Sequence, residues 1–130
     1  MKIKKLGHCC LIINIEGKMV LTDPGEYTIQ EQELEGNIDL IVITHEHADH
    51  LHIESLKNVF VKNPRAIVVS NSAVGKLLAD YGIPHQILED GGMGEFAGVY
   101  LEAHGDKHAE IYEDFGQVQN TGYFIGKDLF

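Results

Sequence analysis

The chain of 130 residues has no tryptophan, three prolines and two cysteines, and its 10 Lys and Arg face 20 Asp and Glu. Each scarcity excludes something. The two cysteines, Cys9 and Cys10, are adjacent. Neighbours in sequence rarely reach acceptable disulfide geometry, so reduced thiols and a cytoplasmic location are expected. A metal or redox role is open to the pair, but small buried hydrophobes is the simpler part. A net charge of −10 argues against nucleic acid or an anionic membrane as the main partner. It leaves room for a nuclease, because bound metal ions reverse the local field in a site. No apolar run reaches the ~18 residues of a membrane span. Three of the first five residues are lysine, but Gly7 and His8 interrupt the apolar stretch behind them and no small-residue cleavage site follows. A signal peptide is therefore not expected.

What the chain does have is an ordinary globular composition, 44% hydrophobic and 23% charged, with length for one core. Punctuation and period outline the elements. Lys2 to Ile15 and Lys18 to Asp23 read as two strands joined at Glu16-Gly17. Gly25 to Asn37 is polar with weak helical character. Leu40 to Thr44 is a short run rich in Ile and Val, the pattern of a strand buried on both faces. Ile53, Leu56, Val59 and Phe60 give helical spacing within His52 to Val61. Ala66 to Val69 reads as a strand, and Ser72 as the cap of a helix reaching Tyr81, with Gly82 at its C-terminal end. Strands are expected over Pro84 to Glu89 and Glu95 to Ala103, with a turn at Gly91-Gly92 and a final hairpin around Gly126-Lys127. Strands alternating with helices make an α/β fold.

The most informative stretch lies directly behind the buried strand. Residues 44–52 read Thr-His-Glu-His-Ala-Asp-His-Leu-His, so His45, His47, Asp49 and His50 fall within six residues. On an extended chain, side chains two apart point the same way, which lets His45 and His47 grip one ion. Asp49 and His50 follow as the chain turns towards a helix and can face a second. Imidazole with carboxylate suits zinc, and also iron or manganese. Open α/β sheets place their sites at the carboxyl ends of such strands.

This segment resembles the His-x-His-x-Asp-His signature of the metallo-β-lactamase superfamily. Gly7-His8, Glu16-Gly17-Lys18 and Leu21-Thr22-Asp23-Pro24 resemble the opening of its lactonase-like and uncharacterised hydrolases. The stretches from Gly105 to Ile111 and from Asn120 to Phe124 are similar to one bacterial branch. The resemblance implies the amino-terminal half of an αββα sandwich, with a mixed sheet and two main helices on one face. Residues 1–130 then form one domain of that type, truncated on its carboxyl-terminal side, where the family pattern continues into a Gly-Asp pair and a last histidine.

Site roles follow from the resemblance. Asp49 is implied as a metal ligand that also orients the attacking water, and Asp23 as a carboxylate orienting a ligand histidine. Asp23 also fits a plain turn former before Pro24-Gly25. His8 resembles a residue behind the ligands at the active-site mouth, or equally a histidine at a strand end. The remaining ligand for the first ion is His104 or His108, with His108 favoured. His52 is expected to begin the helix, and His85 to be structural or exposed. The implied reaction is metal-assisted hydrolysis of a small-molecule lactone, ester, amide, thioester or phosphodiester, feeble in this chain alone. The alternatives are a half-domain that binds one metal and acts in assembly, and an iron-dependent oxidative member of the superfamily. A homodimer or larger oligomer is expected through apolar sheet residues, such as those of Leu11 to Ile15 and Ile67 to Val69, left without cover.

Overall fold

The computed structural model describes residues 1–107 and 118–126 in full, and the backbone of Asp128 and Leu129. Strands β1 (Lys2–Gly7), β2 (Cys10–Ile15) and β3 (Lys18–Thr22) form an antiparallel meander. A 3-10 turn, Glu26–Thr28, and helix α1 (Ile29–Leu34) lead to β4 (Leu40–Ile43). Helix α2 (Ile53–Lys62), β5 (Ile67–Ser70), α3 (Ser72–Asp80) and β6 (Gln86–Ile87) follow. Strands β3 to β6 run parallel, so one mixed sheet has the order β1-β2-β3-β4-β5-β6. A second, antiparallel sheet has the order β10-β9-β8-β7, from β7 (Met93–Phe96), β8 (Val99–His104), β9 (Gly122–Ile125) and β10 (Asp128–Leu129).

Strand β4 explains the layering. All four of its residues are buried because its alternate side chains enter different cores. Ile41 and Ile43 join Leu21, Leu56, Val59, Val74 and Leu78 beneath α2 and α3. Leu40 and Val42 join Ile13, Val20, Val69, Leu101 and Tyr123 between the two sheets. The second sheet alternates in the same way. Val99, Leu101 and Ala103 are buried, whereas Tyr100 and His104 are exposed and Glu102 is half-buried.

Several expectations need correction. The expected strand Lys2 to Ile15 reverses at His8-Cys9, pairing Gly7 with Cys10. The expected strand Glu95 to Ala103 reverses at Ala97-Gly98, both at positive φ (51° and 80°). Only Gln86–Ile87 of Pro84 to Glu89 is strand. Asn71, not Ser72, caps α3, its side chain accepting from the Val74 N–H at 3.0 Å. Nor are the sheet residues expected to be bare left so. Ile13 and Val69 are buried between the sheets, and Leu11, Ile15 and Ile67 pack against that core. The chain's own second sheet supplies the cover. Helix α2 and the turn at Gly82 (φ 67°) fall where spacing places them.

Candidate metal centre

Strand β4 ends at Ile43, and the chain leaves the sheet through Thr44 and His45. One side-chain amide and one backbone N–H grip that exit. The Thr44 carbonyl accepts from the Asn71 amide at 2.9 Å and from the Thr121 N–H at 3.0 Å. Asp23 leaves the end of β3 at φ 40°, and its own N–H reaches the Val42 carbonyl at 3.0 Å. This neighbouring strand end puts its buried carboxylate under the loop. Asp23 Oδ1 accepts from the Thr44 N–H at 2.8 Å; Oδ2 accepts from the Thr44 hydroxyl at 2.8 Å and from His50 Nδ1 at 2.7 Å.

The proton count follows. The Thr44 hydroxyl has one hydrogen, and the carboxylate takes it. Its oxygen, 2.9 Å from His45 Nδ1, must then accept from that ring. With Nδ1 protonated on both His45 and His50, the lone pair of each ring lies on Nε2. This hydrogen-bonded backing is what metal-ligating histidines require. His45 is buried at 4% exposure; His47, Asp49 and His50 are half-buried. The His45 ring centroid lies 4.9 Å from that of His47 and 3.9 Å from that of His50. One ligand atom from each of His45, Asp49 and His50 falls within 4.8 Å of the others.

The turn at His8-Cys9 closes the other side. His8 Nε2 is 2.8 Å from Asp49 Oδ2, which is 3.4 Å from His50 Nε2. Charge follows the contacts. Burial alone would raise the Asp49 carboxyl, but hydrogen bonding from His8 and the nearby His50 outweigh it and hold it below the ordinary range. Burial opposes charge on His50 too, yet the Asp23 hydrogen bond and charge, with Asp49, hold it above its usual value. Burial, then Asp23 and Asp49, raise the Cys9 thiol; burial pushes Cys10 up to about 12.

Sequence reasoning missed the floor of the site. The Gly25 N–H donates to the Asp23 carbonyl, Glu26 N–H to Ala48, and His52 N–H to Pro24, joining the loop after β3 to the 44–52 loop. A side chain at Gly25 would meet the Asp49 carbonyl oxygen at 1.9 Å, so only glycine fits this approach. Gln32, fully buried, donates to the Gly25 carbonyl at 3.2 Å and to the Ser55 hydroxyl at 2.7 Å. Thr44 could have been suspected from its place before His45; nothing in the sequence marks Gln32.

Of the expected site residues, the structure brings together His8, Asp23, His45, His47, Asp49 and His50. His104 is not among them. It shares the outer face of the second sheet with Glu102, 2.9 Å from its Nε2, and Phe124, whose ring centroid is 5.1 Å away. The strand's alternation turns it away from the inter-sheet core. His108 lies outside the described residues. His52 caps α2, accepting from the Ser55 N–H at 3.1 Å, and His85 is half-buried with Nδ1 2.9 Å from the Ile83 carbonyl.

A mixed sheet carrying a His-rich loop at the end of its central parallel strand, with helices on one face and a second sheet on the other, defines a metallo-β-lactamase fold. The family model described as "Beta-lactamase superfamily domain" matches residues 2–129, and the chain belongs to that superfamily. It is 27% identical over 126 residues to Protein Rv0786c of Mycobacterium tuberculosis, covering 97% of this chain and 58% of that protein. It is 29% identical over 130 residues to a UPF0173 metal-dependent hydrolase of Flavobacterium johnsoniae, covering 96% and 56%. The chain thus spans little more than half the length of these relatives. Among solved structures it is similar to Igni18, a metallo hydrolase from Ignicoccus hospitalis, with TM-score 0.71, 24% identity, and coverage of 97% and 55%. It is also similar to CmlA, a diiron β-hydroxylase from Streptomyces venezuelae, with TM-score 0.67, 20% identity, and coverage of 95% and 27%. Among the described residues no helix is long and apolar enough to cross a membrane.

Proposed function

We propose that the 44–52 loop is the metal-binding part of a hydrolase centre, with His45 and His47 holding a first ion and Asp49 and His50 a second. The observation that carries this reading is the Asp23–Thr44 network, which fixes the protons of His45 and His50 on Nδ1. The donor set, imidazoles and a carboxylate, fits zinc, iron or manganese. Bound there, such an ion lowers the pKa of a water towards neutrality and polarises the bond under attack.

The chain's own residues supply the rest. Asp49, held in its charged form, accepts a hydrogen bond from the attacking water and aims it. Thr44 and Asp23 keep the ligand rings from turning. His8 steadies Asp49 from the mouth of the cleft. That cleft, lined by His8, Cys9, His45, Asn120 and Thr121 among others, has a volume of about 520 Å³ and suits a small molecule. The substrate class is a lactone, ester, amide, thioester or phosphodiester. The chain spans only part of its relatives' length, so its own turnover is expected to be feeble beside theirs.

The test is elemental analysis of protein purified without added metal, followed by hydrolysis of a panel of these substrates with and without chelator. Zinc, with turnover that disappears on chelation and in Asp49→Ala, is the expected result. Chelator-resistant turnover of the same size would overturn the reading. Iron in place of zinc would move it towards oxidative chemistry, the chemistry of the diiron hydroxylase that shares this fold. Bound metal without turnover would leave a metal-binding half-domain that acts in assembly.

A further inference from the structure

The β1–β2 turn brings to this site a sulfur that the hydrolase reading does not use. His50 Nδ1 is engaged by Asp23, so Nε2 is the ring atom facing the cleft. Around it lie Asp49 Oδ2 at 3.4 Å, and His8 Nε2 at 2.8 Å from that same oxygen. Cys9 Sγ, a ring nitrogen of His8 and a ring nitrogen of His50 all fall within 4.8 Å of one another.

We propose that His8 and Cys9 complete the second metal position with Asp49 and His50, making it a site for a thiophilic divalent ion such as zinc. Two imidazoles, one carboxylate and one thiolate are a four-donor set of the kind zinc takes tetrahedrally. With bond lengths of about 2.0 Å to nitrogen and about 2.3 Å to sulfur, donors around such an ion sit roughly 3.3–3.8 Å apart. His8, Cys9 and His50, with one donor atom each within 4.8 Å of the others, therefore need a contraction of at most about 1.5 Å. The turn is seated against the site's floor, since Gly7 packs so close to Thr28 that an added Cβ would lie 2.8 Å from its methyl group. Cys9 is half-buried and His8 exposed, so an ion can enter and the thiol proton can leave to solvent. Cys10 takes no part: it is buried in the core beneath α2 and α3, its sulfur 3.6 Å from the Gln32 amide oxygen.

One ring nitrogen serves one ion. His50 cannot complete this position and at the same time share an ion with His45. The thiolate thus favours two separated ions and makes the second position softer than the first. The inference rests on reading Asp49 and His50 as metal ligands.

Cobalt(II) substitution separates the two claims. Titrated to saturation, the wild-type chain is expected to show visible cobalt bands together with a near-ultraviolet thiolate-to-cobalt band. The thiolate band should persist in Cys10→Ser and vanish in Cys9→Ser, with the ion at the second position losing about tenfold or more in affinity. Visible bands without any thiolate band, or a band lost in Cys10→Ser instead, would overturn the proposal and leave the hydrolase centre standing. Failure to take up cobalt at all would overturn both. Should Cys9→Ser not fold, alkylation of the wild-type chain decides. Cobalt protects Cys9 from iodoacetamide if the inference holds, and leaves it open if it does not.

Discussion

The Asp23 carboxylate lies 2.7 Å from Nδ1 of His50 and is 1% exposed, joining the end of β3 to the last residue of the His-x-His-x-Asp-His segment. The same carboxylate takes the backbone N–H and the hydroxyl of Thr44. One buried group thereby sets the exit of β4 and the tautomers of two candidate ligand histidines. Asp23→Asn keeps the shape but replaces a charged acceptor by an amide that must also place two N–H donors. Zinc affinity should fall about 10- to 100-fold in isothermal titration. Unchanged affinity in a folded variant would show that the network does not orient the ligands.

Gly25 tests the floor of the site by steric means alone. A Cβ there would sit 1.9 Å from the Asp49 carbonyl oxygen and 2.7 Å from the His50 nitrogen, and both are backbone atoms with little freedom to yield. Gly25→Ala should cost about 3 kcal/mol or more of stability in urea unfolding and weaken zinc binding together with it. Wild-type stability with wild-type metal affinity would contradict the close approach.

Glu89 offers a test away from the metal. Its carboxylate accepts from the Ser72 N–H at 2.8 Å and the Ser72 hydroxyl at 2.8 Å, covering the start of α3, and from Gln119 Nε2 at 2.6 Å. The Ser72 contacts, with Gln119, hold its carboxyl below the usual 4.5 in spite of some burial. A depressed folded value means that the stabilisation is present above about pH 4.5 and is lost as pH falls through that lower value. Glu89→Gln should therefore be less stable by about 1 kcal/mol near neutral pH. The gap should close in acid. A gap that is constant with pH would show that charge is not its source.

How legible this was in the sequence depends on the range of the interaction. Strand β4 and helix α2 could be read because each is dictated by local period: continuous burial in one, spacing of three and four in the other. The candidate ligand set is local too, four residues on one loop. His8-Cys9 carries no turn signature, so its reversal is dictated by long-range pairing of β1 with β2 and went unread. Counting strand parity would have set His104 on the face of Tyr100 and Glu102, away from the core. Thr44–Asp23 and Gln32–Ser55 join residues far apart in the chain, and no pattern in either segment announces them.

Association is the expectation that changes most in its physical basis. The mixed sheet is covered from within the chain, but the second sheet's outer face shows Met93 at 63% and Tyr100 at 41% exposure, beside half-buried Phe124. Burial is worth about 25 cal/mol per Å² of apolar surface, so pairing two such faces would favour a homodimer before entropic costs. Sedimentation at micromolar concentration should show a dimer or larger species, weakened in Tyr100→Glu. A monomer throughout would remove the oligomer from the account.

The most direct test of the metal centre is zinc stoichiometry in the wild-type chain and in His45→Ala/His47→Ala, measured by elemental analysis and by calorimetry. At least about one tightly held zinc per wild-type chain is predicted, with that tight site absent from the double variant. Equal zinc content and affinity in the two proteins would contradict the assignment of the 44–52 loop as the metal centre.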